Sequence, residues 1–436
     1  MSETFLGGRV TLWRGDVRAM LAQMPPDSVD CVVTSPPYWG LRDYGVEGQI
    51  GLEATLGEHL AVMVEVFALV RRVLKPSGTL WINYGDCYAT APNGRSAADT
   101  KAAGTDDRTF RDKPFSTVGP VAGGYLKPKD LCMVPNRLAI ALQDDGWWVR
   151  SEIVWGKTNP MPDSSGAYRP STAHEKIFLL TKSDDGEVYR ARDTGEISFF
   201  PDLSERCPLV TDPSREAARW SRIGSYYDAE AVRQGFQPTS VDRLSQDIEG
   251  QTGSARANGG SRADRPMKAV RGRSTCGRHT LGDALPEQAR RGLTPRHEGG
   301  INHTGLADLG RGEGRFLRNY EPAPPVVWPM ATKAFSDAHF ATFPPELAAR
   351  CIAAGCPPAG LVLDPFGGSG TTALVAARMG RRTALIELNP DYAAMARRRI
   401  ELEWMGVVDR AIAAAPPPAA QVGGLFAAIE GREAAE

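Results

Sequence analysis

Three things are scarce in this 436-residue sequence, and each scarcity closes off a class of protein. None of its seven cysteines forms a CxxC pair and the count is odd, so neither a disulfide framework nor a tetrathiolate zinc site is indicated. Long apolar runs are absent: the longest, residues 60–70, is broken by Glu65 and has about half the length a bilayer-spanning helix needs. The opening MSETFLGGRV has no signal-peptide core, so the cytoplasm is the expected location and no membrane partner is expected. Histidine is rare as well. The one group with metal-ligand chemistry, Cys276, His279, His297 and His303, falls in a Gly/Arg-rich stretch without a strand or helix signal. Such a stretch cannot hold ligands in fixed tetrahedral geometry, and no metal is expected.

What is present has globular proportions. Hydrophobic residues make up 42% and charged residues 24%, which excludes a collagen-like or wholly disordered chain, and the length suits about two to three domains. The net charge of −1 hides an asymmetry. Residues 251–320 hold twelve Arg and one Lys against six acids, a net of +7, so the remainder carries −8. Arginine makes bidentate contacts with phosphates and guanine edges, and the segment suits a nucleic-acid-facing insert or a flexible basic loop.

Hydrophobic periodicity divides the chain. Residues 9–13 read as extended, a short helix starts at Asp16, and residues 30–34 and 79–84 read as buried strands. Between these strands Leu56, Leu60, Met63, Phe67, Val70 and Leu74 repeat at helical spacing behind a Thr55/Glu58 capping box, with Met63 and Phe67 as core. Residues 86–125 are poor in apolar side chains and read as a mobile loop that could order over a ligand. A helix at 135–142 and strands at 147–155 and 175–181 follow. From about 184 to 325 the sequence turns irregular and rich in Gly, Arg, Ser and Pro. Near 343 the pattern returns as helix to 355, strand 361–364, helix 371–379, strand 383–387 and helix 389–404, before a low-complexity tail. This alternation predicts an α/β fold, a mostly parallel sheet with helices on both faces.

Two motifs carry chemistry. In LVLDPFGGSGTTA (361–373), Gly368, Gly370 and Ala373 match G-x-G-x-x-A between a predicted strand and a predicted helix. Glu387 ends the next strand, seventeen residues after Gly370, where a carboxylate can accept both hydroxyls of a ribose. Nicotinamide, flavin and S-adenosylmethionine (AdoMet) proteins share this pattern. Only about 65 residues follow the loop, too few for a second mononucleotide half, which disfavours a dinucleotide. AdoMet also accounts for Asp364, a carboxylate for its ammonium, and Phe366, a ring beside its sulfonium or adenine. The second motif runs from the strand DCVVT (30–34) into Ser35-Pro36-Pro37-Tyr38-Trp39-Gly40. Two prolines remove two backbone donors, so the turn offers acceptors, the Ser35 hydroxyl and the carbonyls of Ser35 or Pro36. That arrangement suits an exocyclic amine, with Tyr38 stacking on a base swung out of a duplex. A proline turn that merely caps the strand is the alternative.

TSPPYW after a strand, together with DPFGGSGTT, resembles the amino-DNA methyltransferases, and the order of the two motifs is similar to their β class. Gly15-Asp16, LKPSGTLW (74–81), WGKTNP (155–160) and HFATFP (339–344) add to the resemblance, which covers roughly residues 8–182 and 326–405. It implies a Rossmann-like AdoMet-dependent methyltransferase fold of permuted motif order, with a catalytic half at 1–183, an inserted and partly disordered target-recognition region at 184–325, an AdoMet-binding half at 326–408 and a tail at 409–436. By the same resemblance Ser35, Pro36, Pro37 and Tyr38 form the catalytic turn. Asp364, Phe366, Gly367, Gly368, Ser369, Gly370, Thr371, Thr372 and Glu387 form the AdoMet site, with residues 339–343, Phe343 among them, as its outer wall. Asp16 and Trp39 would line the base pocket.

The implied activity is site-specific methyl transfer from AdoMet to the exocyclic amine of a flipped base in double-stranded DNA. Ser before PPYW favours N4 of cytosine, with N6 of adenine the alternative and RNA or protein-glutamine methylation, a nicotinamide oxidoreductase or a catalytically dead DNA-binding module as more distant ones. No cysteine follows a proline, so the ProCys loop needed for methylation at cytosine C5 is missing. The chain would act as monomer or homodimer, and a cognate restriction endonuclease acting on the same site is an open expectation.

Overall fold

The computed structural model describes residues 2–41, 45–89, 124–160, 169–208, 217–232, 326–332 and 343–405. The Cys276/His279/His297/His303 group, the whole basic 251–320 segment, most of the 86–125 loop, residues 339–342 and the tail lie outside them. In chain order the elements are β1 (Ser2–Phe5), β2 (Val10–Arg14), α1 (Val17–Gln23), β3 (Val29–Thr34), α2 (Leu56–Val73), β4 (Leu74–Tyr84), α3 (Val134–Asp144), β5 (Trp148–Lys157) and β6 (His174–Thr181). The short β7 (Tyr189–Ala191), β8 (Ile197–Ser198) and β9 (Trp220–Arg222) come next, then β10 (Val327–Met330), α4 (Pro345–Gly355), β11 (Leu361–Asp364), α5 (Thr371–Arg378), β12 (Arg382–Glu387) and α6 (Pro390–Met405).

Nine of these strands make one sheet in the order β1-β2-β12-β11-β3-β4-β6-β5-β10. From β2 to β4 every neighbouring pair is parallel. β6 runs antiparallel to both β4 and β5, β1 runs antiparallel to β2, and β10 joins β5 in parallel. All six residues of β3 are buried, as a strand covered on both faces requires. The capping box of α2 is formed: Thr55 Oγ1 accepts the Glu58 N–H and Glu58 accepts the Thr55 N–H. Met63 and Phe67 on its inner stripe are fully buried.

Helices α1, α2 and α3 pack on one face through Leu21, Met63, Phe67 and Leu138, whereas α4 and α5 cover the other through Leu347, Ile352 and Val375. The chain leaves β11 for one face and β3 for the opposite one. Because β11 and β3 are neighbours, a crevice opens at their carboxyl ends, the place where doubly wound sheets bind ligands.

The stretch after 183 departs from the irregular structure expected of it. β8, β7 and β9 form a small antiparallel sheet, and the chain behind it is seated on the main fold, with the Tyr226 N–H donating to Ser77 O and the Asp228 N–H to Ala354 O, both at 2.8 Å. Strands of two or three residues are too short to show a period. β10 escaped the sequence reading for another reason, since Pro329 lies inside it; as an edge strand it has no outer neighbour among the described residues to miss the proline's absent N–H.

Candidate functional site

The register Val362↔Cys31 and Leu363↔Val32 carries the ends of β11 and β3 to the same level of the sheet. There the Thr34 hydroxyl donates to Asp364 Oδ1 at 2.7 Å across 330 residues of sequence, and the Thr372 hydroxyl donates to Val33 O at 3.3 Å. The proline turn begins at the next residue, Ser35, and the glycine loop begins at Asp364. The two motifs therefore open into one crevice.

The three loop glycines serve different ends. A Cβ on Gly367 would lie 3.0 Å from Leu385 Cβ, and one on Gly370 would lie 3.1 Å from both Ala396 Cβ and Ile400 Cδ1, so these two let the loop pack on β12 and α6. Gly370 also has φ +77°, which favours glycine. Gly368 faces open space, its nearest obstacle being Phe366 O at 3.9 Å, and is the point where a ligand can approach the backbone. Its N–H donates to Glu387 Oε2 at 2.7 Å while Glu387 Oε1 accepts the Asn389 N–H at 2.8 Å, an arrangement that fixes the carboxylate and leaves each oxygen a further lone pair. Burial pushes the Glu387 carboxyl above its usual range. Asp364 is only 2% exposed, and burial raises its carboxyl to about 7 in spite of the bonds from Thr34 and from the Phe366 N–H at 3.1 Å. A buried carboxylate so placed calls for a cation. Phe366 is half-buried against the α1–α3 face, and Phe343 is half-buried against the α4 face.

Three hydroxyls expected in the AdoMet site make hydrogen bonds within the fold. The hydroxyls of Ser369 and Thr371 are turned to α6, where Arg399 Nη1 donates to them at 3.1 and 2.9 Å; that bond fastens the loop to the helix. Thr372 is fully buried, its hydroxyl 3.3 Å from Val33 O and also beside the Asp364 carboxyl.

In the turn, Pro36 is buried while Ser35, Pro37 and Tyr38 are half-buried. The Tyr38 ring stacks on Tyr84, with centroids 4.6 Å apart and planes at 23°. Its hydroxyl donates to Glu175 Oε2 at 2.8 Å and accepts from Ser35 Oγ at 3.3 Å and Asn83 Nδ2 at 3.1 Å. Asn83 Nδ2 also donates to Glu175 Oε2 at 2.8 Å, and Lys157 Nζ reaches Glu175 Oε1 at 2.6 Å. Burial, and then the Glu175 charge, push the Tyr38 phenol well above its ordinary value and keep it protonated. Beneath it the Tyr84 hydroxyl accepts the Trp39 N–H at 3.0 Å, donates to Pro37 O at 3.2 Å and meets His59 Nε2 at 2.8 Å; His59 Nδ1 lies 2.8 Å from Glu53.

Trp39 and Asp16 are not where the base-pocket expectation put them. Trp39 is 2% exposed and its indole N–H donates to Glu53 O at 2.9 Å, so it anchors the turn from below. Asp16 caps α1 by accepting the Arg18 and Ala19 N–H groups. It follows β2, which is separated from β3 by β12 and β11, and its neighbour Gly15 donates to Glu387 O at 3.0 Å. That places it on the Glu387 side of the crevice.

Glu175, Lys157, Asn83, Tyr84, His59 and Glu53 were not singled out as site residues in the sequence. Glu175, Lys157, Asn83 and Tyr84 lie on β6, β5 and β4 and are brought to the turn by strand pairing, whereas the side chains of His59 on α2 and of Glu53 in the loop before it reach the turn through the Tyr84 hydroxyl. One signal was available: Glu175 and Lys176 are charged residues at the head of an otherwise apolar strand, HEKIFLLT.

Among the described residues no cluster of three or more His, Cys, Asp or Glu could hold a metal ion, and no helix is long and apolar enough to cross a membrane. A family profile described as DNA methylase matches residues 29–398. The Type II methyltransferase M.XycI of Xanthomonas campestris pv. cyanopsidis is 36% identical over 398 residues, covering 91% of this chain and 90% of that protein. M.Cfr9I of Citrobacter freundii, also a Type II methyltransferase, is 34% identical over the same shares. Among solved structures, the PvuII DNA methyltransferase (cytosine-N4-specific) aligns with 90% of this chain and 86% of its own at 15% identity and a TM-score of 0.45.

Proposed function

Because the chain belongs to the DNA methylase family, and is thus an AdoMet-dependent DNA methyltransferase, we propose that it methylates N4 of a cytosine swung out of duplex DNA, with Ser35–Tyr38 holding the base. The observation that carries this reading is the 2.7 Å bond from Thr34 to Asp364, which gives the acceptor turn and the glycine loop a common crevice.

The residues suit AdoMet. Asp364 is a buried carboxylate in want of a cation, Gly368 leaves open space, and Glu387 is held rigidly with lone pairs to spare. When bound, AdoMet supplies an electrophilic methyl group on a sulfonium that leaves as a neutral thioether. Asp364 would pair with its ammonium, Glu387 with its ribose hydroxyls, and Phe366 and Phe343 would wall it. The chain's remaining task is to present the amine. An exocyclic amine is a poor nucleophile because its lone pair is delocalised into the ring. Ser35 Oγ and the carbonyl of Ser35 or Pro36, accepting from its two N–H bonds, favour a pyramidal nitrogen whose lone pair is free to attack. Tyr38 has one face on Tyr84, so its other face serves the base. The positions of Ser35 and of the two prolines are fixed by the bonds behind the turn, which is the main contribution of a site that works by orientation.

Ser at the head of the turn supports cytosine. The Type II names of the relatives support a recognition site shared with a restriction endonuclease, and the basic 251–320 segment supports a DNA-reading role for the insert. Base-modification sequencing of genomic DNA from an expressing host tests the reading. N4-methylcytosine at one fixed motif is expected; N6-methyladenine would move the assignment to the adenine alternative, and unmodified DNA would overturn both.

A further inference from the structure

A serine hydroxyl is ambivalent, with one proton to give and two lone pairs to offer. To raise the nucleophilicity of an amine it must accept from the amine's N–H, and a proton turned toward the substrate would do the opposite. Something has to decide which way Ser35 points, and the turn itself contains nothing that can. We propose that Glu175 decides it: as an acceptor-only group it fixes the direction of the hydrogen bonds running back to Ser35, making Glu175 the positioning residue through which the turn prefers an NH2 group to a carbonyl. This rests on the reading of Ser35 as the residue that meets the target amine.

The direction follows from counting protons. A carboxylate has none to give, so the single Tyr38 proton goes to Glu175 Oε2 over 2.8 Å. The Tyr38 oxygen then has only lone pairs left, and over 3.3 Å it can only receive the Ser35 proton. Ser35 Oγ is left with lone pairs for whatever enters the crevice. Asn83 obeys the same constraint: its Nδ2 donates to both Tyr38 and Glu175 Oε2, and turned over, its oxygen would confront the carboxylate. Lys157 Nζ, 2.6 Å from Glu175 Oε1, is a donor as well, so every described side-chain partner of the Glu175 carboxylate donates to it. Gly85 makes room for the assembly, since a Cβ there would lie 2.8 Å from Tyr38 Cε2 and 3.4 Å from Glu175 Cδ.

Glu175→Gln tests direction without changing shape. Lys157 can only donate, so it takes the new amide oxygen and leaves the amide NH2 facing Tyr38. Glu175→Gln is made on an Asn83→Ala background, since a turned Asn83 amide would otherwise offer the phenol its oxygen; the phenol then accepts from the new amide, its proton turns to Ser35, and Ser35 turns its own proton to the substrate, with Asn83→Ala alone as the control. The measurement is the affinity of the full-length protein, with S-adenosylhomocysteine present, for duplexes carrying either the target base or its deaminated counterpart, uracil for cytosine or hypoxanthine for adenine, at the methylated position. Single-turnover methyl transfer is measured alongside. The wild type and Asn83→Ala are expected to favour the amine, and Glu175→Gln on that background to lose or invert that preference by about tenfold to hundredfold. Tyr38→Phe on the same background interrupts the chain without reversing it, and should retain more activity than Glu175→Gln. A part played only by bulk or charge burial predicts no change in base preference from an isosteric substitution.

Glu175→Gln with the base preference of Asn83→Ala, or with activity no lower than Tyr38→Phe, overturns the proposal. Should Glu175→Gln fail to fold, as judged by loss of its melting transition, Tyr38→Phe decides alone, and full retention of the amine preference there is the overturning result. Ser35→Ala separates the levels: if it keeps the wild-type preference, Ser35 does not meet the amine, and the underlying reading fails together with the proposal. If Ser35→Ala loses the preference and Glu175→Gln keeps it, the proposal fails by itself.

Discussion

Asp364→Asn should make the free protein more stable and deprive it of its cosubstrate, and the two effects should separate by pH. The carboxyl is 2% exposed and titrates at about 7, against 3.8 for an unperturbed aspartate, with burial as the main cause. Between these values the folded protein keeps a proton that the unfolded chain has released. Stability contributed by this group therefore falls as pH rises from about 4 to about 7, reaching a deficit on the order of 4 kcal/mol at about 1.4 kcal/mol per unit. Asparagine is nearly isosteric, can still accept from Thr34 Oγ1 and the Phe366 N–H, and carries no charge to desolvate. At pH 8 the variant should melt higher by on the order of 5 °C, and below about pH 4, where the carboxyl is neutral in the folded and the unfolded chain alike, the difference should vanish. Calorimetric titration with AdoMet at pH 8 should show a loss of affinity of at least about tenfold, because an ammonium gains little from an amide. Wild-type affinity should itself decline below about pH 7 as the carboxyl protonates. A variant that melts lower than wild type at pH 8, or binds AdoMet as tightly, would refute both the assignment and the electrostatic reasoning.

Two further substitutions probe the scaffold. Tyr84→Phe keeps the ring under Tyr38 but strands the buried Trp39 N–H and removes the partner of His59 Nε2, so the urea midpoint should fall by the equivalent of about 1–3 kcal/mol. Methyl transfer should slow as the turn loosens, and an unchanged midpoint would mean that water replaces the hydroxyl. Gly370→Ala places a methyl 3.1 Å from Ala396 and Ile400 at φ +77°, and thermal denaturation should show a loss on the order of 1–3 kcal/mol; an alanine variant as stable as wild type would show that α6 gives way freely.

The local half of this site was legible in the chain, and the long-range half was not. The glycine loop and the proline turn each sit at a strand end and announce themselves through residues that adjoin in sequence. The α2 capping box is legible for the same reason, its partners Thr55 and Glu58 lying three positions apart. Glu175 is different: it lies 137 residues from Tyr38 and reaches it only because β6 pairs with β4 in the register Asn83↔Ile177. No periodicity reports a register between distant strands. Trp39 and Asp16 show the converse error, in which proximity to a motif suggested a place in the pocket and tertiary packing claimed the side chains for anchoring and capping.

The strand order has a consequence for how the molecule is made. β11 and β12, the last two strands among the described residues, lie between β2 and β3, two of the first. During synthesis the N-terminal segment emerges with a slot two strands wide at the centre of its future sheet, its backbone N–H and C=O groups unpaired on either side. The slot is filled only after more than 300 further residues have been translated, a distance set by the bond from Thr34 to Asp364. Folding therefore cannot finish vectorially, a nonsense mutation ahead of β11 leaves two raw edges exposed to other chains, and separately expressed halves should find one another by inserting the missing pair.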